Sequence, residues 1–321
     1  MGWIDFLRND PINKLLLAQN PALLYFVERD ILGKKVASIE TLWGLPEPMK
    51  IIHKQKPDGF WKYPGNTTHN NIGTNYELLE TFRNLRYLVE KYGFNRAHPN
   101  LQKAVDYVFS CQTNEGDIRG ILSNQYMPYY MGAILELTIK AGYAEDRRTI
   151  QGLDWLLTMR QYDGAWSIPL QSYKITYLYQ VAKDDPIPPD RAKPFSHLAT
   201  GMILRAFAAH PHYKQMPEVK EAADLLKSRF FKPDAYNDHK DIKYWTKFQF
   251  PFWWTDLLSA LDTLGKLGYD RGDVEVIMGL DWFIQHQGEN GLWKASYEKR
   301  PEMDLWVSLS VCRVLKHFLG G

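Results

Sequence analysis

Two ionisable side chains lie within otherwise apolar stretches and are the first candidates for catalysis. Asp256 stands between FPFWWT and LLSALDTLGKLGY, and His197 is followed by LATGMILRAFAA. An unpaired carboxylate is costly in such surroundings, whereas an Asp–His pair in a cavity would be a usable acid–base unit. The alternatives are that Asp256 caps the helix that it begins or pairs with a neighbour, and that His197 is a hydrogen-bonded core residue.

Aromatic and polar side chains recur at equivalent positions, in the segments that lead into the most apolar stretches. Because they share this register, we predict that they converge around one ligand. Aromatic faces in a closed cavity could stabilise a carbocation through their quadrupole, and the alternative is that the rings are packed as core. The predicted ligand-binding residues are Asn71, Tyr76, Tyr126, Tyr130, Trp253, Trp254, Asp304 and Trp306.

Basic residues occur in the same long loops. Cations of this kind are what a diphosphate requires, and the alternative is that they are solvated surface side chains. They are Arg191, Lys193, Lys243, Lys247, Lys299 and Arg300.

The composition narrows the classes of partner. The chain has 321 residues and a formal net charge of +2, which gives no reason to expect nucleic-acid binding. Cys111 and Cys312 are far apart, so we expect neither a disulfide framework nor a metal site, and no cofactor is predicted. The N-terminus has no signal-peptide pattern and no apolar run reaches 18 residues. We therefore expect a cytoplasmic protein without a transmembrane segment, for which peripheral contact with a membrane stays open.

A short motif recurs along the chain: a glutamine at the end of a helical pattern, a polar turn, a glycine, and a tryptophan two residues later. In one copy isoleucine replaces the tryptophan, and a degenerate copy is expected near Asp234. Recurrence on this scale indicates stacked supersecondary units. The clear copies are Gln55-Gly59-Trp61, Gln112-Gly116-Ile118, Gln161-Gly164-Trp166 and Gln287-Gly291-Trp293.

Between the motifs, each unit contains two helical patterns. The first is nearly continuously apolar, as expected for a helix buried on most sides, and the second carries charge on one face. We therefore predict an all-α protein, an α/α toroid of about five to six helical hairpins with an inner and an outer ring of helices. A single domain spans residues 1–321, with repeats ending near residues 59, 116, 164, 234 and 291. In each motif we expect the glutamine to satisfy free helix carbonyls, the glycine to permit the turn, and the tryptophan to pack on the next repeat.

The motif resembles the glutamine–tryptophan repeat of the squalene–hopene cyclase and protein prenyltransferase superfamily, over roughly residues 20 to 318. The segments FQFPFWWTDLLSALDTLGKLGYDR and WKASYEKRPEMDLWVSLSVCRVLK look like those of small prenyltransferase/squalene oxidase repeat proteins. The resemblance implies the toroid and a central cavity for an isoprenoid-like ligand. This fold hosts cyclases, transferases, lyases and binding proteins, so it does not by itself fix an activity.

The sequence departs from the superfamily at its catalytic motifs. The Asp-x-Asp-Asp acid motif of the cyclases is absent, and Asp304-Leu305-Trp306 stands where the prenyltransferase zinc ligands would begin, without the matching histidine. Cys111 does not begin the Cys-Gly-Glu-Gln motif of the thioester-bearing relatives. The resemblance therefore implies an apolar ligand more directly than it implies a reaction.

Three functions are compatible with these observations. The first is a terpenoid cyclase- or prenyltransferase-like protein with an apolar ligand in the central cavity, with acid–base chemistry and no metal. The second is a non-catalytic scaffold for a hydrophobic ligand or a protein. The third is a carbohydrate-active toroid enzyme, which requires two carboxylates about 5–10 Å apart, and Asp256 with Asp304 is the pair that the sequence offers.

Overall fold

The computed structural model describes residues 2–65, 73–236, 240–298 and 300–320. Within these ranges the protein is all-helical and forms an α/α toroid, as predicted. Two short helices stand outside the rings, α1 (Ile12–Leu16) and α8 (Pro169–Ser172). The inner helices are α2 (Pro21–Phe26), α4 (Tyr76–Tyr92), α6 (Pro128–Thr138), α9 (His197–Ala209), α11 (Leu257–Lys266) and α13 (Pro301–Leu319). The outer helices are α3 (Pro46–Ile52), α5 (Pro99–Ser110), α7 (Arg147–Thr158), α10 (Pro217–Lys227) and α12 (Val274–Gln285).

The inner helices contact one another in chain order, and α2 contacts both α4 and α13, which closes the ring. Almost every residue of α6 and α9 is buried, whereas α5, α7 and α10 each bury one face. The predicted division into inner and outer helices is therefore confirmed. The inner helices all begin at one end of the ring, which we call the mouth.

The recurring motif joins neighbouring repeats through side-chain hydrogen bonds. Gln55 Nε2 donates to the carbonyl of Gly59 in its own turn and to that of Asn100 at the start of the next outer helix, both at 2.8 Å. Gln112 and Gln287 bond their turns in the same way. The prediction that the glutamine serves free helix carbonyls is therefore wrong, because its amide links the turn to the next repeat.

The tryptophan indole satisfies the helix end instead. Nε1 of Trp61, Trp166 and Trp293 donates to a carbonyl ten residues earlier, in the last turn of the preceding outer helix, at 2.7–2.9 Å. They lie at the helix end, where the usual intrahelical donor is missing, although Ile51 O and Leu156 O also accept a backbone hydrogen bond from Lys54 N and Met159 N, both at 3.1 Å. In the degenerate repeat Trp245 takes this part, since its indole donates to Lys232 O at 2.9 Å.

We expect Trp166→Phe to lower the free energy of unfolding by about 0.5–1.5 kcal/mol, because the carbonyl of Leu156 loses the indole donor and keeps only the backbone N–H of Met159. Trp43→Phe is the matched control, since Trp43 Nε1 is buried and bonds none of the described residues. Urea unfolding followed by circular dichroism measures both. Equal losses in the two variants would show that the indole hydrogen bond of Trp166 contributes nothing.

Candidate functional site

The centre of the ring is occupied by the chain itself, through residues 248–254, which we call the axial segment. The Phe250 ring stacks on Trp306 of α13, with centroids 5.6 Å apart and planes at 12°. The Trp253 ring lies 5.1 Å from Phe82 of α4, and its carbonyl accepts a hydrogen bond from Arg205 of α9 at 3.1 Å. A segment that touches α4, α9 and α13 must cross the axis of the toroid.

A cavity of about 420 Å³ lies beside the axial segment. Its lining comes from the second halves of the inner helices, so it faces the end of the ring opposite the mouth. We call it the axial cavity. Its apolar wall includes Phe26, Phe94, Phe250 and Phe252. Its charged residues are Arg29, Asp30, Glu90, Lys140, Asp262, Lys266 and Arg313.

The charges of the axial cavity are paired. Arg313 Nη2 lies 2.6 Å from Oδ2 of Asp30, which also pairs with Arg29. Lys140 Nζ lies 2.6 Å from carboxylate oxygens of both Glu90 and Glu136. Because each lining carboxylate is held by a cation, the charged residues keep one arrangement around the apolar wall.

Of the residues predicted to bind a ligand, none that the structure describes lines the axial cavity. The prediction placed the cavity at the mouth, whereas Phe250 and Trp253 of the axial segment pack on rings of the inner helices. Trp306 is fully buried beneath Phe250. Part of the aromatic run that was read as cavity lining is therefore packed as core.

Three of the predicted residues do converge at the mouth. The ring of Tyr130 lies 6.2 Å from that of Trp253 and 6.3 Å from that of Trp254, and all three are partly exposed. The Tyr76 ring packs against that of Tyr63 in a tilted arrangement, at 4.9 Å between centroids and 39° between planes. We call these five rings the mouth face.

The other predicted residues serve elsewhere. The Tyr126 hydroxyl donates to Glu115 at 2.6 Å, and its ring packs on α7, which places it outside the inner ring. Asp304 Oδ1 accepts a hydrogen bond from Ala295 N at 2.8 Å. Asn71 lies outside the described residues.

Asp256 is the N-cap of α11, which confirms the structural alternative for this residue. Its Oδ1 accepts from Ser259 N at 2.7 Å, and Ser259 Oγ accepts from Asp256 N at 3.0 Å, forming a capping box. Burial raises the pKa of Asp256 to about 7, against the opposing hydrogen bonds from Ser259. A carboxyl group next to the mouth face thus gains or loses its proton near neutral pH.

His197 lies beside Asp234 rather than Asp256. Its Nδ1 lies 3.3 Å from Asp234 Oδ2, which also accepts hydrogen bonds at the start of α9. The imidazole stacks on Trp245 at 4.4 Å. Burial lowers the pKa of His197 to about 4, although Asp234 opposes the shift. His197 is therefore a neutral core residue at physiological pH, and the proposed Asp256–His197 acid–base pair is not formed.

Several of the basic loop residues already interact with other parts of the chain. Arg300 pairs with Glu298, Lys243 with Asp241 at 2.7 Å, and Arg191 donates to Thr158 O. Lys247 lies 3.9 Å from the Tyr244 ring centroid, and Lys299 lies outside the described residues. These contacts do not bring the cations together at one site. Among the residues that the structure describes, no group of three or more His, Cys, Asp or Glu side chains is placed to hold a metal ion.

Replacing Asp256 by Asn tests its raised pKa. The pKa exceeds the unfolded value, so the proton stabilises the fold fully below about pH 4 and this contribution is lost as the pH rises toward 7. Asn keeps the cap. We therefore expect Asp256→Asn to be more stable than the parent at pH 8. Between pH 4 and pH 8, the free energy of unfolding of the variant should rise relative to that of the parent by on the order of 2–4 kcal/mol.

The matched control is Asp146→Asn at the N-cap of α7. The hydrogen bond from Arg148 lowers the pKa of Asp146, so its variant should lose stability above pH 4. Urea unfolding between pH 4 and 8 measures both slopes. Parallel slopes for Asp256→Asn and the parent would contradict the raised pKa.

The chain was compared with known proteins. No family model matches it, and no curated protein sequence matches it. Among solved structures, it is similar to a protein from Actinoplanes, with 14% identity, 87% of each chain covered and a TM-score of 0.46. It is also similar to a variant of the type II terpene cyclase MstE from Scytonema in complex with geranylgeranyl dihydroxybenzoate, with 14% identity, 91% of this chain and 86% of that chain covered, and a TM-score of 0.47. These values carry no statement about the activity or the ligand of this protein.

No described helix is both long and apolar enough to cross a membrane.

The residues of the axial cavity were missed by sequence reasoning. Glu90, Lys140, Lys266 and Arg313 lie toward the C-terminal ends of inner helices or just beyond them. Charges there are usually read as solvated or as partners of the helix dipole. The available signal was their common register on four inner helices, which places them around one axis.

Proposed function

We propose that this protein binds a small molecule with an apolar, isoprenoid-like body in the axial cavity. The observation that supports this is the lining of a cavity of about 420 Å³, which combines phenylalanine rings with ion-paired charged residues. Ligand sites of this size typically combine an apolar lining with a few placed polar groups. Each methylene group buried against the wall would contribute about 0.8 kcal/mol before ordering costs.

The experiment starts from native mass spectrometry of the purified protein and identification of whatever it releases on denaturation. Farnesol serves as the titrated probe. Ser310 is buried and lines the cavity, so Ser310→Leu narrows it, and we expect farnesol affinity to fall by about tenfold or more. Val274→Leu, on the exposed face of α12, is the matched control. Unchanged farnesol binding in folded Ser310→Leu, or no binding to the parent, would refute the axial site.

A second function, proton transfer at the mouth, is favoured by the properties of Asp256. An acid whose pKa is near the working pH is suited to general acid catalysis, and burial raises the pKa of Asp256 to about 7. The neighbouring rings of Trp254 and Tyr130 offer faces to a developing cation. Asp256→Asn preserves the cap and removes the proton. Conversion of the released ligand should then stop, and conversion at the parental rate would exclude Asp256.

The non-catalytic alternative rests on the same residue. The carboxyl group of Asp256 is engaged in a capping box, which is a sufficient structural reason for an acid at this position. A bound ligand that the parent protein releases unchanged, after incubation at pH 6 to 8, would favour a binding scaffold. The carbohydrate alternative gains no support, because Asp256 and Asp304 are each committed to local backbone hydrogen bonds.

A further inference from the structure

Two arginines near the axis carry buried polar atoms that bond none of the described residues. Arg86 of α4 and Arg205 of α9 are only 7% and 3% exposed. Nε and Nη1 of Arg86, and Nη1 of Arg205, have no hydrogen-bond partner within the described parts of the chain. Leaving charged donors unsatisfied costs more than leaving neutral ones, so these atoms indicate a missing acceptor.

The charges around these arginines do not balance. Arg205 Nε lies 2.9 Å from Glu136 Oε2, but Glu136 is shared with Lys140, which also binds Glu90. Asp262 and Lys266 also act on this group, but they pair with each other. Three cations thus face two carboxylates, and one positive charge is uncompensated. The cluster consists of Arg86, Arg205, Lys140, Glu136 and Glu90.

Neighbouring acids do not supply the missing charge. Glu298 lies close enough to act on Arg86, but it accepts a hydrogen bond from Tyr87 at 2.9 Å and pairs with Arg300. Asp256 acts on Arg205 electrostatically, but burial raises the pKa of its carboxyl to about 7. In place of an anion, the Arg86 guanidinium has the face of Trp253, 4.4 Å from the ring centroid.

We propose that Arg86 and Arg205, which both contact Trp253, form a buried subsite for an oxyanion, a carboxylate or a phosphate group. Guanidinium groups are the side chains best suited to both anions. Lys140 and Glu90 belong to the cluster and also line the axial cavity. The subsite therefore deepens the proposed function, on which this step rests: the anionic end of the ligand binds the arginines while its apolar body lies in the axial cavity.

The test uses inorganic phosphate and benzoate as probes, with chloride at the same ionic strength as the reference. We expect at least one probe to raise the melting temperature of the parent protein. Arg86→Met should have a higher melting temperature than the parent in chloride, because an uncompensated buried charge is removed. The same variant should lose the shift caused by the probe, and its calorimetric Kd should be weaker by about tenfold or more.

Arg83→Met is the matched control. Arg83 lies on the same helix and over the same Trp253 ring, but it is more exposed and pairs with Glu80 at 3.3 Å. This variant should keep the probe-induced shift. Arg86→Lys, which keeps the charge but not the donor geometry, provides a second variant if Arg86→Met does not fold, and it should also weaken probe binding.

The outcomes separate the two proposals. A shift with phosphate alone, with benzoate alone or with both identifies the anion and supports the subsite. No shift with either probe, or equal shifts in the parent and Arg86→Met, overturns it. If the anions bind but farnesol does not, the proposed apolar site in the axial cavity is refuted and the oxyanion subsite stands. If farnesol binds but the anions do not, the axial cavity site stands and the oxyanion subsite is refuted.

Discussion

Replacing Glu136 by Gln is expected to lower the free energy of unfolding by about 3–5 kcal/mol at pH 7. Glu136 is 4% exposed and holds Lys140 Nζ at 2.6 Å and Arg205 Nε at 2.9 Å. The amide has nearly the same shape but no charge, so Arg205 stays buried without its carboxylate partner, and the partly exposed Lys140 keeps only Glu90. Urea unfolding followed by circular dichroism gives the free energy directly.

The stability lost in Glu136→Gln should depend on pH. Burial alone would raise the pKa of Glu136, but Lys140 and Arg205 lower it to about 2. Its stabilising contribution is therefore fully present above about pH 4.5 and is lost as the pH falls toward 2. The difference between the parent and Glu136→Gln should accordingly shrink as the pH is lowered through this range.

An exposed pair provides the control for Glu136. Lys34 Nζ lies 3.1 Å from Glu28 Oε1, and both side chains are well solvated. Glu28→Gln should cost less than about 1 kcal/mol. If Glu136→Gln cost no more than this control, the charges around the axis would be compensated in another way, and the count that motivates the oxyanion subsite would lose its basis.

The toroid was predictable because its signals are local. A glycine with the required backbone and an indole ten residues after a helix carbonyl recur at a spacing that the sequence displays. The degenerate repeat shows the limit of this reasoning. Trp245 follows the expected turn by about ten residues, and only the fold shows that its indole reaches the Lys232 carbonyl.

The site was less predictable, because the hydrophobic period tells which face of a helix is buried but not what buries it. The run FPFWWT was read as lining around a ligand at the mouth. In the structure, Phe250 is buried against Trp306, and Trp253 packs on Phe82. Whether an aromatic ring lines a cavity or fills it depends on contacts across the ring, between residues far apart in sequence.

The structural role of Asp256 could be predicted from the sequence. Its position before an apolar helix and after Thr255 indicated a cap, and the structure confirms the cap. The partner of His197 could not be inferred, because Asp234 lies in the turn of the degenerate repeat and reaches α9 only through the packing of neighbouring hairpins. The missing anion at Arg86 is likewise a property of the assembled ring.

Replacing Gly59 by Ala is expected to destabilise the protein by roughly 3–5 kcal/mol, the sum of two separate costs. Gly59 has φ +94°, a left-handed conformation that disfavours any side chain. A Cβ atom there would also lie 2.1 Å from the carbonyl oxygen of Lys103, in the backbone of the next outer helix. Since a helix backbone cannot yield like a flexible side chain, α5 would have to move away from the turn.

Gly291→Ala separates the two costs, because Gly291 occupies the same position of the motif in another repeat. Its φ is +82°, but the nearest atom to an added Cβ would be 3.5 Å away. Only the conformational cost applies, so we expect a loss of about 1–2 kcal/mol. Urea unfolding of both variants decides the point. A larger loss for Gly59→Ala would show that the glycine sets the distance between successive repeats, whereas equal losses would mean that it serves the turn alone.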